Sequence, residues 1–291
     1  MTFIQQLVNG LSSGAIYALI AIGFSLVYGV LRFVNFAHGD VYMFGTFVTF
    51  LAFTQLQMNF IVAGLLGILS GALLSMAVEL VASRPVRNAP PVIPMMTTYG
   101  AALVIRSFVE SRQGSAVANF PAPLTGESLL VGGIQISTLS IVTLVVAFLS
   151  MALFSLYLKY AKTGYGIRAA SQDMQAASLM GIPTTSIVVL VFAAGGALGV
   201  IGGILYSSQY GIFFVAMGLT GLLKGFAAAV IGGIGSLKGA MVGGLLLGVI
   251  ESLAGPYVSG AYRDAIAFVL LAAILVVRPN GLFGKPVMER V

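Results

Sequence analysis

Apolar runs at about 8–31, 41–58, 60–81, 92–109, 137–158, 186–206, 218–231, 240–254 and 262–277 fill most of the chain. The polar intervals are 32–40, 82–91, 110–136, 159–185 and the tail from Arg278. The runs are continuously apolar, and most approach the ~20 residues that carry a helix across a hydrocarbon core. Strands of a transmembrane barrel would instead alternate over ~10 positions. The pattern predicts an all-α, polytopic membrane bundle of eight or nine segments, some short or broken, forming a single transmembrane domain over 1–291. Residues 218–254 read either as two crossings or as a re-entrant pair, because the 218–231 run is short.

Two interruptions depart from a simple row of helices. In RFVNFAHGDVYMFG, 32–45, the polar residues Arg32, Asn35, His38, Gly39 and Asp40 stand between apolar runs, and Tyr42 follows them. A turn, a metal or catalytic site, and a break in a membrane helix are all open readings. GGIGSLKGAMVGG, 232–244, has a similar layout, with Gly232, Gly233, Gly235 and Gly239 around Lys238. Interrupted segments at corresponding places in two halves are the usual pointer to a transport pathway. Most of the 37 glycines need no more than close helix packing to explain them.

Composition makes the solvent lipid. Hydrophobic residues are 59% and charged ones 8%, against roughly 25% charged in a soluble domain, and mean hydropathy is +1.05. The net charge of +6 is spread over short inter-run segments, which sets orientation and gives no reason to expect nucleic acid. Arg32, Arg84, Arg87, Lys159, Lys162, Arg168, Lys238, Arg278, Lys285 and Arg290 fall on one face if the runs alternate, against Arg106, Arg112 and Arg263 on the other. The bias places the N-terminus outside, the C-terminus and the 159–185 interval in the cytoplasm, and the 110–136 loop outside. The first 31 residues hold no Lys or Arg, so the first run reads as a retained span and not a cleaved signal.

The residues exclude more chemistry than they offer. With one His and no Cys, no metal site is expected. Nothing resembles the nucleophile elbow of hydrolases, so no catalytic residue is assigned. GGIGSLKGA is the nearest approach to a phosphate-binding loop, but Gly follows its Lys and the stretch lies among membrane helices. ATP-driven transport would need another subunit to bind the nucleotide. Asp40, Asp173 and Asp264 read as lying outside the spans, leaving Lys224 and Glu251 at membrane depth and Glu79 nearer an interface. Such buried ionisable groups are functional candidates or a structural pair.

The 159–185 interval holds a helix-compatible stretch from Ile167 to Met180, with small residues at 169, 170, 176 and 177, ended by Gly181 and Pro183. It reads as a solvated connector or as a docking element for a cytoplasmic partner. GYGIRAASQDMQAASLMGI resembles the coupling loop of ABC-importer permeases. NGLSSGAIYALIAIGFSLVYGVLRFVNFAHGD, LLKGFAAAVIGGIGSLKGAMVGGLLLGVIES and RPNGLFG resemble, in the same order, the high-affinity branched-chain amino acid permeases of the LivH type. No such pattern is seen over 110–136.

The resemblance implies a multi-pass subunit of a bacterial inner membrane. Its partners would be a homologous permease, two cytoplasmic ATPases that use ATP and Mg, and a periplasmic protein delivering Leu, Ile or Val. It places Asn35, His38, Gly39, Tyr42, Lys224, Gly232, Gly233, Gly235 and Glu251 near the pathway. It gives the ATPase stroke to Gly166, Arg168, Ala169, Asp173, Ala176, Ala177 and Gly181. A urea or short-chain amide permease shares the outline, while a self-sufficient secondary carrier would show ion-coupling carboxylates in mid-span.

Overall fold

The computed structural model describes residues 3–121, 129–131, 134–255 and 263–284. Lys285 and Arg290, weighed above for orientation, and the side chains of Arg263 and Asp264 lie outside the described residues.

The helices in chain order are α1 (Phe3–Leu31), α2 (Ala37–Thr54), α3 (Phe60–Val78), α4 (Val92–Gln113), α5 (Thr138–Tyr160), α6 (Lys162–Gln172), α7 (Met174–Leu179), α8 (Thr184–Tyr210), α9 (Met217–Gly232), α10 (Leu237–Ala254) and α11 (Arg263–Val277). A π turn, Glu79–Ser83, and a 3-10 turn, Arg84–Val86, prolong α3. The chain is an all-α polytopic membrane protein. Among the described residues, α1, α3 with its prolongation, α4, α5, α8 and α10 are long and apolar enough to cross a bilayer, and α9 and 265–277 are shorter apolar helices.

Boundary residues follow local chemistry. Asn59 accepts the Ile61 amide and starts α3, and Ser236 accepts the Gly239 amide and starts α10. Pro91 and Pro183 precede α4 and α8, while Gly114 and Gly211 end those helices with positive φ.

α1 is the axis of the bundle: 89% of its apolar window is buried, mainly against α8, α9 and α10. What lets α10 come so close is a seam of small residues. A Cβ on Gly14 would stand 2.8 Å from the Leu245 Cα, and one on Gly244 would stand 2.5 Å from the Ala18 Cα. No larger side chain fits there, and close backbone packing replaces the hydrophobic drive that lipid does not supply. By contrast α3, α4 and α5 bury less than a third of their apolar windows. Their outward Leu, Val and Phe faces suit lipid or another membrane chain.

Short strands join the connectors at the α4 C-terminal end. β1 (Ala118–Asn119) pairs antiparallel with β4 (Ile212–Phe213), and the Phe120 amide donates to the Gly211 carbonyl at 2.9 Å. Phe120, Phe50 and Phe213 stack beneath them. β2 (Leu129–Val131) pairs antiparallel with β3 (Ile134–Ile136). The 110–136 interval, patternless in sequence, is therefore partly built into the bundle, and residues 122–128 and 132–133 lie outside the described residues. At the opposite end, the Leu282 and Phe283 amides donate to the carbonyls of Ile231 and Gly232, clasping the tail to the α9–α10 turn.

Candidate functional site

The helix break sits deeper than the hydropathy pattern predicts. α1 stops at Leu31, residues 32–36 turn back, and α2 begins at Ala37 rather than at 41. His38 meets Ile20 of α1 and lies against Gly199 of α8, near the middle of both helices. The break therefore places a helix N-terminus at mid-bundle, where the orphan amides need partners. Asn35 Oδ1 accepts the Ala37 amide at 3.1 Å, and the Thr98 hydroxyl of α4 accepts the Phe36 amide at 3.3 Å. His38 Nε2 donates to the Ile20 carbonyl at 3.2 Å, and the ring meets Phe24 edge-on.

Gly39 is needed where α2 crosses α9. A Cβ there would stand 2.7 Å from Leu222 Cβ and would run into the Gly218 carbonyl. One turn on, the Tyr42 hydroxyl donates to the Met217 carbonyl, bringing the start of α9 against α2.

Asp40 lies buried inside α2 and not in a loop outside the spans, correcting the expectation from polarity. Arg106 of α4 donates from Nε and Nη2 to its two carboxylate oxygens, each at 3.0 Å. A bidentate Arg–carboxylate pair satisfies both groups and fixes their geometry. Arg106, counted above with an outer face, belongs to this pair as well. Lys224 and Glu251 also pair, with Nζ to Oε1 at 2.8 Å, and Lys224 donates to the Tyr17 hydroxyl at 3.1 Å. Glu79 is buried beside Arg87, its ion-pair partner. Each of the three buried carboxylates among the described residues thus has a basic neighbour.

Tyr42 and Lys224 share a cavity of about 200 Å³ with Tyr17, Tyr206, Phe214 and Thr220. Its wall combines aromatic faces with a few hydroxyls and one ammonium. Such a cavity can hold a small amphipathic molecule.

Gly232, Gly233 and Gly235 do not join this cluster. They form the α9–α10 turn at the Arg32 end, where Gly233 and Gly235 have φ of 106° and 82°. A cavity of about 570 Å³ opens there beside Arg32, Arg168 and Phe283. Arg32, itself in the left-handed region at φ 59°, donates from Nη2 to the Ser171 carbonyl at 2.9 Å. The residue that ends α1 is thereby tied to α6.

The 159–185 interval is two helices rather than the single Ile167–Met180 helix expected. Asp173 breaks it and caps α7, accepting the amides of Gln175 and Ala176. Gly166 packs on Ile187 and Ile182, Arg168 stacks on Tyr165 at 4.6 Å, and the Ala169 carbonyl accepts the Asp173 amide. Ala176 is exposed but Ala177 is buried, so the small residues do not form one free face. Gly181, φ 80°, turns the chain toward α8. The free apolar surface lies at the end of α7, where Leu179 and Met180 are 88% and 83% exposed.

Tyr17, Tyr206 and Thr98 were not singled out in the sequence, and Arg106 was counted there only for orientation. Arg106 carried a signal, since it is a lone cation in an apolar run, as Asp40 is a lone anion. His38→Ala deletes a fully buried ring and opens a void, so a loss of about 2–4 kcal/mol is expected. Thermal unfolding of the detergent-purified chain measures it, and an unchanged midpoint would make the break only a turn.

The family model for the permease component of branched-chain amino acid transport systems matches residues 6–275. The chain is 37% identical over 302 aligned positions to the high-affinity branched-chain amino acid transport system permease protein LivH of Salmonella typhimurium, covering 99% of this chain and 98% of that one. Identity is also 37% to BraD, the corresponding protein of Pseudomonas aeruginosa, with the same coverage. LsrC of Shigella flexneri, an autoinducer 2 import permease, is 33% identical over 56% of this chain and 48% of its own. PsaBC from Streptococcus pneumoniae, solved in complex with Fab, shares the fold at TM-score 0.55 and 14% identity, over 97% of this chain and 94% of that one. With the family model matching residues 6–275 and 37% identity over 99% of the chain, the chain belongs to the branched-chain amino acid transport permease family.

Proposed function

We propose that this chain is the membrane permease subunit of an ATP-driven importer that translocates Leu, Ile and Val across a bacterial inner membrane. The observation that carries the reading is 37% identity over 99% of the chain to permeases named for branched-chain amino acids. A urea or amide permease has no such support. A self-sufficient carrier would show an unpaired ion-coupling carboxylate in mid-span, whereas each buried carboxylate among the described residues stands in an ion pair with Arg or Lys.

Nine crossings are formed by α1, 32–54, α3, α4, α5, α8, α9, α10 and α11, with the N-terminus outside and the C-terminus in the cytoplasm. The basic residues at the ends of α1, α3 and α5 and at the start of α10 support this orientation. A homologous second permease completes the membrane domain, two ATPases using ATP and Mg bind the α6–α7 side, and a periplasmic protein delivers the substrate. Substrate passes the cluster of Asn35, His38, Gly39, Tyr42, Lys224 and Glu251, with Gly232, Gly233 and Gly235 at its cytoplasmic exit. Because the delivering protein discriminates, the permease needs only a transient site. Helix ends and paired charges meet a zwitterion without a permanent unpaired ion.

Reconstitution of the chain and its partner permease into liposomes, with and without the ATPases, tests this. Leucine uptake is expected only with the ATPases, ATP and the delivering protein. Uptake by the membrane chains alone, indifferent to ATP, removes the reading.

A further inference from the structure

Two cavities inside the bundle meet at a single ion pair. The deeper is the 200 Å³ space lined by Tyr17, Tyr42, Tyr206 and Lys224. The other, about 310 Å³, lies toward the N-terminal end of α1 and is lined by polar groups that include Asn9, Ser13, Gln209, Ser252 and Glu251. Lys224 lines one and Glu251 the other, and their 2.8 Å bond is the partition between them. Tyr206 and Tyr210 repeat the arrangement beside it, one ring in each cavity with centroids 4.6 Å apart. Glu251 Oε2 is buried at this boundary with no hydrogen-bond partner among the described residues. A bridge that only braced α9 against α10 would need neither cavity.

We propose that the Lys224–Glu251 pair is a gate which an α-amino acid zwitterion opens by taking the place of each partner for the other. The inference rests on the reading of the chain as an amino acid permease, and it names the residues that bind the substrate. The ligand ammonium replaces Lys224 on Glu251, using the idle Oε2. The ligand carboxylate replaces Glu251 on Lys224 and accepts from the Tyr17 hydroxyl. The apolar side chain then enters the deeper cavity between Tyr42, Tyr206 and Phe214. One buried ion pair becomes two, so no uncompensated charge is created at any step. A neutral amide leaves the original pair the better partner, and a lone cation or anion strips one member bare, which is costly away from water. Only a molecule carrying both charges on one small frame can open the partition. The deeper cavity is smaller than the roughly 300 Å³ at which drug-sized sites begin, as a single amino acid requires.

Two altered pairs test the gate in the full complex, with its partner permease, ATPases and delivering protein, in liposomes. Lys224→Met with Glu251→Gln keeps the shapes without charge. Lys224→Glu with Glu251→Lys keeps the bridge but reverses the polarity presented to the ligand. Both are expected to assemble, by size-exclusion chromatography, and to take up leucine at less than a tenth of the unsubstituted rate. A reversed pair that transports within twofold of the unsubstituted complex makes the bridge purely structural and overturns the gate. Absence of ATP-dependent leucine uptake by the unsubstituted complex overturns the permease reading itself, and the gate with it.

A measurement without variants guards against failed assembly. On the unsubstituted permease pair in detergent, millimolar leucine is expected to raise the unfolding temperature, while 3-methylbutylamine and 4-methylpentanoate, each lacking one charge, leave it unchanged. No shift with leucine, or the same shift with all three, overturns the proposal.

Discussion

Replacing Leu179 and Met180 together by Asp should leave insertion and pairing with the second permease intact while removing ATP-dependent uptake. Both side chains point away from the bundle, at 88% and 83% exposure. Exposed positions of this kind change stability by no more than about 0.5 kcal/mol. If α7 is where the ATPase docks, they are the apolar anchors of that contact. Central anchors of an interface typically contribute 2 kcal/mol or more each, so two buried carboxylates should weaken ATPase association by at least about a thousandfold. Co-purification of the ATPase with the membrane complex, beside uptake in liposomes, reads this out. Normal association in the double variant would remove the assigned role of α7. Ala177→Asp is a poor probe of the same idea, since Ala177 is buried within the chain and a charge there disturbs folding first.

The second large effect belongs to the Asp40–Arg106 pair. Asp40→Ala should destabilise the chain by about 3–5 kcal/mol, because it leaves Arg106 without its bidentate partner. Arg106→Leu in the same chain should recover most of that loss, since two apolar groups replace the two charges. Denaturation of the detergent-purified variants measures both. An additive loss in the double variant would mean that the two residues act independently.

The long helices were legible because continuous apolar runs of about 20 residues leave few alternatives in lipid. Among the described residues six helices are long and apolar enough to cross a bilayer, against the eight or nine segments expected, and the proline and glycine boundaries at 91, 114, 183 and 211 follow from elementary stereochemistry. The start of α2 was not legible, and Asp40 shows why. A polar residue marks a loop unless something far away satisfies it, and its partner lies 66 positions on. Thr98, which holds the Phe36 amide, stands 62 positions from it. The Lys224–Glu251 pair was partly legible, since two ionisable groups in neighbouring apolar runs invite pairing. The cavities were not, because Tyr17 and Tyr206 look like ordinary apolar-run tyrosines until α1 and α8 are side by side. In the 159–185 interval the break at Asp173 was readable as a cap, but which small residues turn inward depends on the packing of α6 against α5 and α8.

The glycine seam between α1 and α10 has a consequence for how the chain is made. α1 leaves the ribosome well before α10, yet it is Gly244 and its neighbours that cover Gly14 and Ala18. At 5–20 residues per second, on the order of ten to fifty seconds separate the two. During that interval the most deeply enclosed helix of the finished protein has lipid, or a transient companion, against its narrowest faces. Side chains that widen the seam should therefore show themselves first as poor biogenesis, in the yield of chain that survives synthesis.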